Sequence, residues 1–198
     1  MEPSRLLSFA SCRRGARLIQ KRYPPPFDSM IRELKEDDAL AYVELRREAL
    51  LEAPLAFASS PADDFASSPD AVREQLRRAP ESVIIGAFRD HLVGAVGLYR
   101  DRHLKSAHKA HLWGMYVTPS HRGQHIASEL LDAALRHAGT LPGVSWIHLT
   151  VSSAAPGAKR LYERAGFQIW GTEPDAMRHD GRTVVDYHMA LYLKPGAA

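Results

Sequence analysis

Arg122 and Gly123 lie in a short polar turn between an apolar run ending at Val117 and an amphipathic run beginning near Gln124. The stretch Val117–Ala127 reads VTPSHRGQHIA and passes directly into SELLDAALRHA. Pro119 interrupts strand pairing, and the helix that follows opens with unpaired N–H groups and a partial positive charge. Arg122 adds a full charge, and Gly123 lets the backbone come close to a ligand. These residue types in this order suit a pyrophosphate held between a strand and a helix. Taken alone, they also fit an ordinary strand–turn–helix connection.

A second group of residues lies about 35 positions downstream. Leu161-Tyr162-Glu163-Arg164-Ala165-Gly166-Phe167 predicts a helix over 159–165, with Gly166 as its C′ residue and Phe167 opening a strand. Tyr162 alone reads as a helix-face tyrosine packed on a sheet. The spacing leaves room for one helix and one strand between the two motifs.

In order and spacing the two motifs resemble the GNAT superfamily of N-acetyltransferases, and the resemblance runs from about Met30 to Leu193. The family loop reads Arg/Gln-x-x-Gly-x-Gly/Ala, so Arg122 fills its first position and Ala127 its last, while His125 stands where the middle glycine is usual. The resemblance implies that Arg122, Gly123, Gln124, His125, Ile126, Ala127 and Ser128 hold the pyrophosphate of acetyl-CoA. Met115, Tyr116 and Val117 would align the pantetheine arm through their backbone. The second motif resembles the family's LY-x-x-x-GF signature, which makes Tyr162 the general acid that protonates the departing thiolate. Relatives carry a catalytic Glu at the position of His111, which becomes the candidate general base; others carry it at the position of Thr150, which cannot act as one. His108 and Tyr116 are weaker candidates. Ala155 replaces an asparagine that touches pantetheine in relatives, with Ser152 or Ser153 able to substitute its hydrogen bond. The acceptor site would lie around 55–64 and 174–182, where Phe57, Asp63, Asp64 and Phe65 face Asp175, Arg178, His179, Asp180 and Arg182. Arg178 and Arg182 could there recognise a carboxylate.

The elements that must position these groups follow from periodicity and punctuation. Strands are expected at 31–34, 82–88, 92–101, 110–117, 144–151, 167–173 and 183–193. Helices are expected at 36–51, 69–78, 124–138 and 157–165, the first with Leu40, Val43, Leu45 and Leu50 as its apolar positions. The fold class is therefore α/β (α+β), the GNAT fold: a mixed, mostly antiparallel central sheet of six to seven strands flanked by about four helices.

Composition agrees. The 198 residues fit one domain, with 45% hydrophobic and 25% charged residues. No apolar run approaches the ~18 residues of a membrane span. The net charge of +3 is local: residues 1–29 carry six basic side chains against two acidic ones, leaving the rest near neutrality, so nucleic acid is not an expected partner. Residues 1–29 read as a basic, disordered extension preceding a domain at 30–198, with the start mis-assigned and Met30 the true one; a transit peptide and a nucleic-acid-binding arm are the other readings. Leu6, Leu7 and Phe9 could dock this segment. Cys12 is the only cysteine, and His121 and His125 are explained by the phosphate loop, so no metal is expected; His188 reads as structural. The expectation is a cytoplasmic N-acetyltransferase that moves an acetyl group from acetyl-CoA to a primary amine of a small molecule, by direct attack in a ternary complex. The alternatives are a non-catalytic acyl-CoA-binding sensor or scaffold and a peptide or protein N-terminal acetyltransferase. An edge strand near the C-terminus admits a homodimer.

Overall fold

Strands β2 (Ser82–Phe88) and β3 (Leu92–Arg100) are almost continuously apolar because helices cover both faces of the sheet there. The structure, a computed structural model, describes residues 30–193. The remaining strands are β1 (Met30–Glu33), β4 (Lys109–Val117), β5 (Trp146–Ser152), β6 (Gln168–His179) and β7 (Arg182–Tyr192). All seven form one sheet in the order β1-β2-β3-β4-β5-β7-β6, in which β4 and β5 run parallel and every other pair is antiparallel. The expected mixed, mostly antiparallel sheet is present. The proposed extension at 1–29, with Leu6, Leu7, Phe9 and Cys12, lies outside the described residues. No helix among the described residues is long and apolar enough to cross a membrane.

Helices α3 (Ile126–Thr140) and α4 (Pro156–Arg164) cover one face. Ile126, Leu130, Leu131, Ala134, Leu135 and Ala138 put one stripe of α3 into a core with Val83, Ile85, Leu98, Ile147 and Met189. Burying a leucine or isoleucine there contributes about 1.5–3 kcal/mol, which fixes the N-terminus of α3 against the sheet. Helices α1 (Ala39–Glu52) and α2 (Pro69–Leu76) cover the other face, where Tyr42, Leu45, Ala49 and Val72 pack with Ile84 and Ala95. This second core takes no described residue from β5, β6 or β7, so that half of the second face is free to carry polar groups.

Two features open the sheet in its middle. The β4–β5 ladder joins Lys109–His111 to Trp146–His148 and stops. Opposite Ala95–Gly97, β4 carries one extra residue, and Gly114 takes φ 64°, a conformation glycine adopts at little cost. The bulge twists the end of β4 away from β5, and the two strands part.

The structure shifts several expected boundaries. The first helix begins at Ala39, after a 3-10 turn at Glu36–Asp38 in which Asp38 accepts from the Lys35 N–H and pairs with Arg32. Its buried face is Ala39, Tyr42, Leu45, Arg46, Ala49 and Leu50, whereas Leu40 is exposed. Helix α3 begins at Ile126, two residues later than expected, because His125 is left-handed. Strand β6 runs on past Glu173 to His179 through a bulge at Pro174–Asp175.

Candidate active site

The parted ends of β4 and β5 and the first turns of α3 and α4 bound a cleft of about 950 Å3. Met115, Tyr116, Val117, Arg122, Gly123, His125, Ile126, Ala127, Ser128 and Ala155 all line it. Gln124 does not; its side-chain amide donates to the Ser120 carbonyl at 3.4 Å. Gly123 (φ 79°) and His125 (φ 64°) are both left-handed, a backbone conformation that recurs in anion-binding nests. The N–H groups of Gly123, Gln124, Ile126 and Ala127 find no acceptor among the described residues. A β-carbon on Gly123 would meet nothing within 4 Å, so the glycine answers a backbone conformation and leaves room for a ligand. The first turn of α3 thus presents open donors and the positive end of a 15-residue helix to the cleft. These features fit a pyrophosphate.

Arg122 does more than add charge. Its Nε donates to the Val117 carbonyl at 3.0 Å, and its Nη1 and Nη2 donate to Glu52 at 3.1 and 2.6 Å. The fork ties the loop to β4 and to the end of α1. The same contact raises the Arg122 pKa and holds the Glu52 carboxyl below its ordinary range. His121 is anchored by Thr118 and Ser120, whose hydroxyls lie 2.9 and 3.0 Å from its Nδ1. Tyr116 donates its hydroxyl to Glu48 at 3.0 Å.

Tyr162 lines neither this cleft nor its neighbour. It is buried, with its ring 5.8 Å from that of Phe167, and it sits one turn below Ala158, which does line the cleft. Burial alone pushes its hydroxyl well above the ordinary tyrosine range, so it keeps its proton at neutral pH.

A second chamber of about 540 Å3 opens on the half of the sheet that α1 and α2 leave uncovered. Ala56 and Phe57 line both spaces, so the two meet at the segment after α1. His111, Trp113, His148, Thr150, Trp170, Asp186 and His188 wall the chamber. His111 stacks on Tyr99 with ring centroids 4.8 Å apart. Its Nε2 lies 3.2 Å from Asp101 Oδ1 without hydrogen-bond geometry, an ion pair only when the ring carries a second proton. Burial, and then the nearby His111 and Lys109, depress the His148 pKa. His188 is held at both nitrogens, with Thr150 Oγ1 3.1 Å from Nδ1 and Glu173 Oε2 3.2 Å from Nε2. Burial, followed by Glu173, raises the Asp186 carboxyl.

The expected acceptor residues divide. Asp64 forms a buried ion pair with Arg46 at 2.7 Å, and Asp63 accepts from Ser60. Arg178 is bound to Asp175, while His179, Asp180 and Arg182 reach the first cleft, not the second. Sequence reasoning missed Arg46, His148 and Asp186, and read His188 as structural, although it faces the chamber. A signal was present: in WIHLTVS and DYHMAL the residues His148, Thr150, Ser152, Asp186 and His188 alternate with larger apolar ones, as on strands with one polar face. Among the described residues, no group of three or more His, Cys, Asp or Glu side chains could hold a metal ion.

A family model described as the acetyltransferase (GNAT) family matches residues 33–167. Among solved structures, the chain is similar to a GNAT-family acetyltransferase from Streptococcus pneumoniae, at 20% identity and a TM-score of 0.74, over 84% of this chain and 100% of that one. It is similar to YncA from Salmonella typhimurium, solved with its cofactor acetyl-CoA, at 20% identity and a TM-score of 0.74, over 87% and 98%. A ribosomal-protein-alanine N-acetyltransferase from Brucella melitensis aligns at 21% identity and a TM-score of 0.71, over 83% and 99%. No curated protein matches the sequence.

Proposed function

We propose, from the premise that the chain belongs to the acetyltransferase (GNAT) family, that its acceptor is the primary amine of a small molecule, acetylated while acetyl-CoA is bound beside it. The observation that carries this reading is the pair of spaces meeting at Ala56 and Phe57: a nest of open N–H groups in one and a walled chamber of ionisable groups in the other. The chamber's volume of about 540 Å3 is that of a small-molecule site. A space of that size suits a small acceptor, and its place beside the nest suits an enzyme better than a sensor.

Bound acetyl-CoA supplies an acyl group activated as a thioester. The N–H groups of Gly123, Ile126 and Ala127 hold the pyrophosphate, and Met115 and Val117 align the pantetheine by backbone. His111 takes a proton from the attacking amine, and Asp101, 3.2 Å away, offsets the charge this leaves on the imidazole. As the C–N bond forms and the C–S bond breaks, the sulfur takes up a proton; Tyr162 is the proposed donor, a role that requires its buried hydroxyl to reach the cleft past Ala158 and Leu161. We assign residues 30–198 to this catalytic domain and place the enzyme in the cytoplasm.

Calorimetry with acetyl-CoA, followed by thiol release against a panel of small amines and peptides, tests the reading. Binding with release on small amines is expected. Binding with release on peptides alone would shift the acceptor class, and binding with no release on any acceptor would favour the sensor.

A further inference from the structure

Arg46 lies on the buried face of α1, a position where an apolar side chain would be ordinary. More than nine-tenths of it is buried, and Phe57 lies under its guanidinium at 4.8 Å. Its Nε and Nη2 both donate to Asp64 Oδ2, at 3.1 and 2.7 Å, and Asp64 Oδ1 accepts the Ala66 N–H. The ion pair is therefore fixed, yet Nη1 has no partner. Three buried side-chain polar atoms among the described residues are unpartnered: Arg46 Nη1, His111 Nε2 and Asp186 Oδ1. All three residues line the second chamber. A buried donor and a buried acceptor left open in one chamber call for a ligand that supplies the opposite of each.

Resting on the acetyl-transfer reading above, we infer that this chamber is built for a zwitterionic acceptor, an amino acid with a bulky apolar side chain, whose carboxylate meets Arg46 Nη1 and whose amine meets Asp186 Oδ1. A guanidinium N–H finds its strongest partner in a carboxylate, and a carboxylate oxygen in an ammonium N–H. Both anchors stand where the sheet opens. Arg46 Nη1 is 3.6 Å from where a β-carbon of Gly114 would be, beside the β4 bulge. Asp186 is paired in register with Ser152, the last residue of β5. An α-amino acid carries its amine and carboxylate on one carbon, so in this proposal one molecule meets both anchors while its side chain extends into the chamber. Trp113, Trp170 and Tyr99 line that space and suit an apolar group. The carboxylate contact expected at Arg178 is not offered, since Asp175 already holds that side chain.

The test uses the full chain with acetyl-CoA and matched acceptors: leucine, phenylalanine and tryptophan, their amides, and the corresponding decarboxylated amines. Thiol release should give kcat/KM for the amino acids at least about tenfold above both neutral analogues, because an unfilled buried anchor penalises the analogue that lacks its partner. Arg46→Lys keeps a cation for Asp64 and loses the open Nη1 group, so it should level the three acceptor types while leaving the acetyl-CoA Kd unchanged. Turnover of the amides and decarboxylated amines equal to that of the amino acids by the wild-type protein overturns the inference, and this comparison needs no variant to fold. Release with no acceptor, despite acetyl-CoA binding, would sink the transfer reading instead. In that event calorimetry on the CoA-loaded protein decides: binding of amino acids but not of amides supports the chamber assignment, and equal or absent binding overturns it.

Discussion

Gly97→Ala is the substitution whose consequence the structure states most directly. Gly97 and Trp113 are cross-strand partners in β3 and β4, and the indole lies flat across the glycine. A β-carbon at 97 would stand 2.0 Å from Trp113 Cε2 and 2.4 Å from Cζ2 and Nε1. No relaxation of a few tenths of an ångström removes such an overlap, so the indole must leave its place. It is not free to move cheaply, because its ring also meets Phe65 edge-on at 5.3 Å and walls the second chamber. Overpacking of this kind costs about 1–3 kcal/mol. At about 2–4 °C per kcal/mol for a chain of this size, the melting temperature should fall by about 2–12 °C. The displaced indole should also raise the acceptor KM, whereas acetyl-CoA affinity should hold, since Trp113 does not line the cofactor cleft. Circular-dichroism melts, acceptor kinetics and acetyl-CoA calorimetry read the three quantities. Trp113→Ala in the Gly97→Ala background removes the obstacle, so the two changes should be non-additive by about 0.5–3 kcal/mol. An unchanged melting temperature with unchanged KM, or strict additivity, would refute the reasoning.

Three further outcomes are expected. In His125→Gly, relief of a left-handed side chain (φ 64°) is worth about 1–2 kcal/mol, offset by about 0.5–1 kcal/mol of glycine chain entropy. A small rise in melting temperature should follow, and a clear fall would show that the imidazole's own contacts outweigh its strain. Tyr162→Phe should lower kcat on the order of 10²-fold with acetyl-CoA affinity intact, and an unchanged kcat would remove the acid role. Asp186 is raised above its ordinary carboxylate value of 3.8 by burial and then by Glu173, with His188 opposing. Its ionised form therefore lowers stability at neutral pH, and that penalty disappears once the group is protonated in both folded and unfolded chains. Asp186→Asn should melt higher than the wild type at pH 7, and the gain should vanish only as the pH falls well below the ordinary value of 3.8; a gain that persists there would mean the effect is not the charge.

What was legible in the sequence is what short local rules determine. The turn at Thr118–Arg122 and the chain stop at Gly166 are set by proline, glycine and the requirements of helix ends, and these act within a few residues. Helix α1 shows the limit. Leu40 looked like a core position because it is apolar, yet the buried stripe passes through Ala39, Tyr42 and Arg46. An arginine is buried there only because Asp64, 18 residues away, meets it, and no helical period encodes that contact. The long β6 was hidden for a related reason. Pro174 and Asp175 (φ 54°) read as the end of a strand but form a bulge, after which pairing with β7 resumes at Met177 and Val184.

The two halves of the site also differ in what specifies them. The cradle proposed for acetyl-CoA is made chiefly of backbone N–H groups, so its chemistry should survive a change of side chain as long as the chain keeps its turn. His125 stands at a left-handed position that suits glycine, and the N–H groups of Ile126 and Ala127 beside it stay open. The second chamber has no such tolerance. Its character comes from Arg46, which Asp64 must hold, and from Asp186 and His188, which face it only because β5 and β7 alternate in register. Helices α1 and α2 leave that half of the sheet uncovered, so core packing does not fix the side chains of Asp186 and His188. A change of acceptor should therefore be reached by substitutions at Arg46, Trp113 or Asp186, with the cradle untouched.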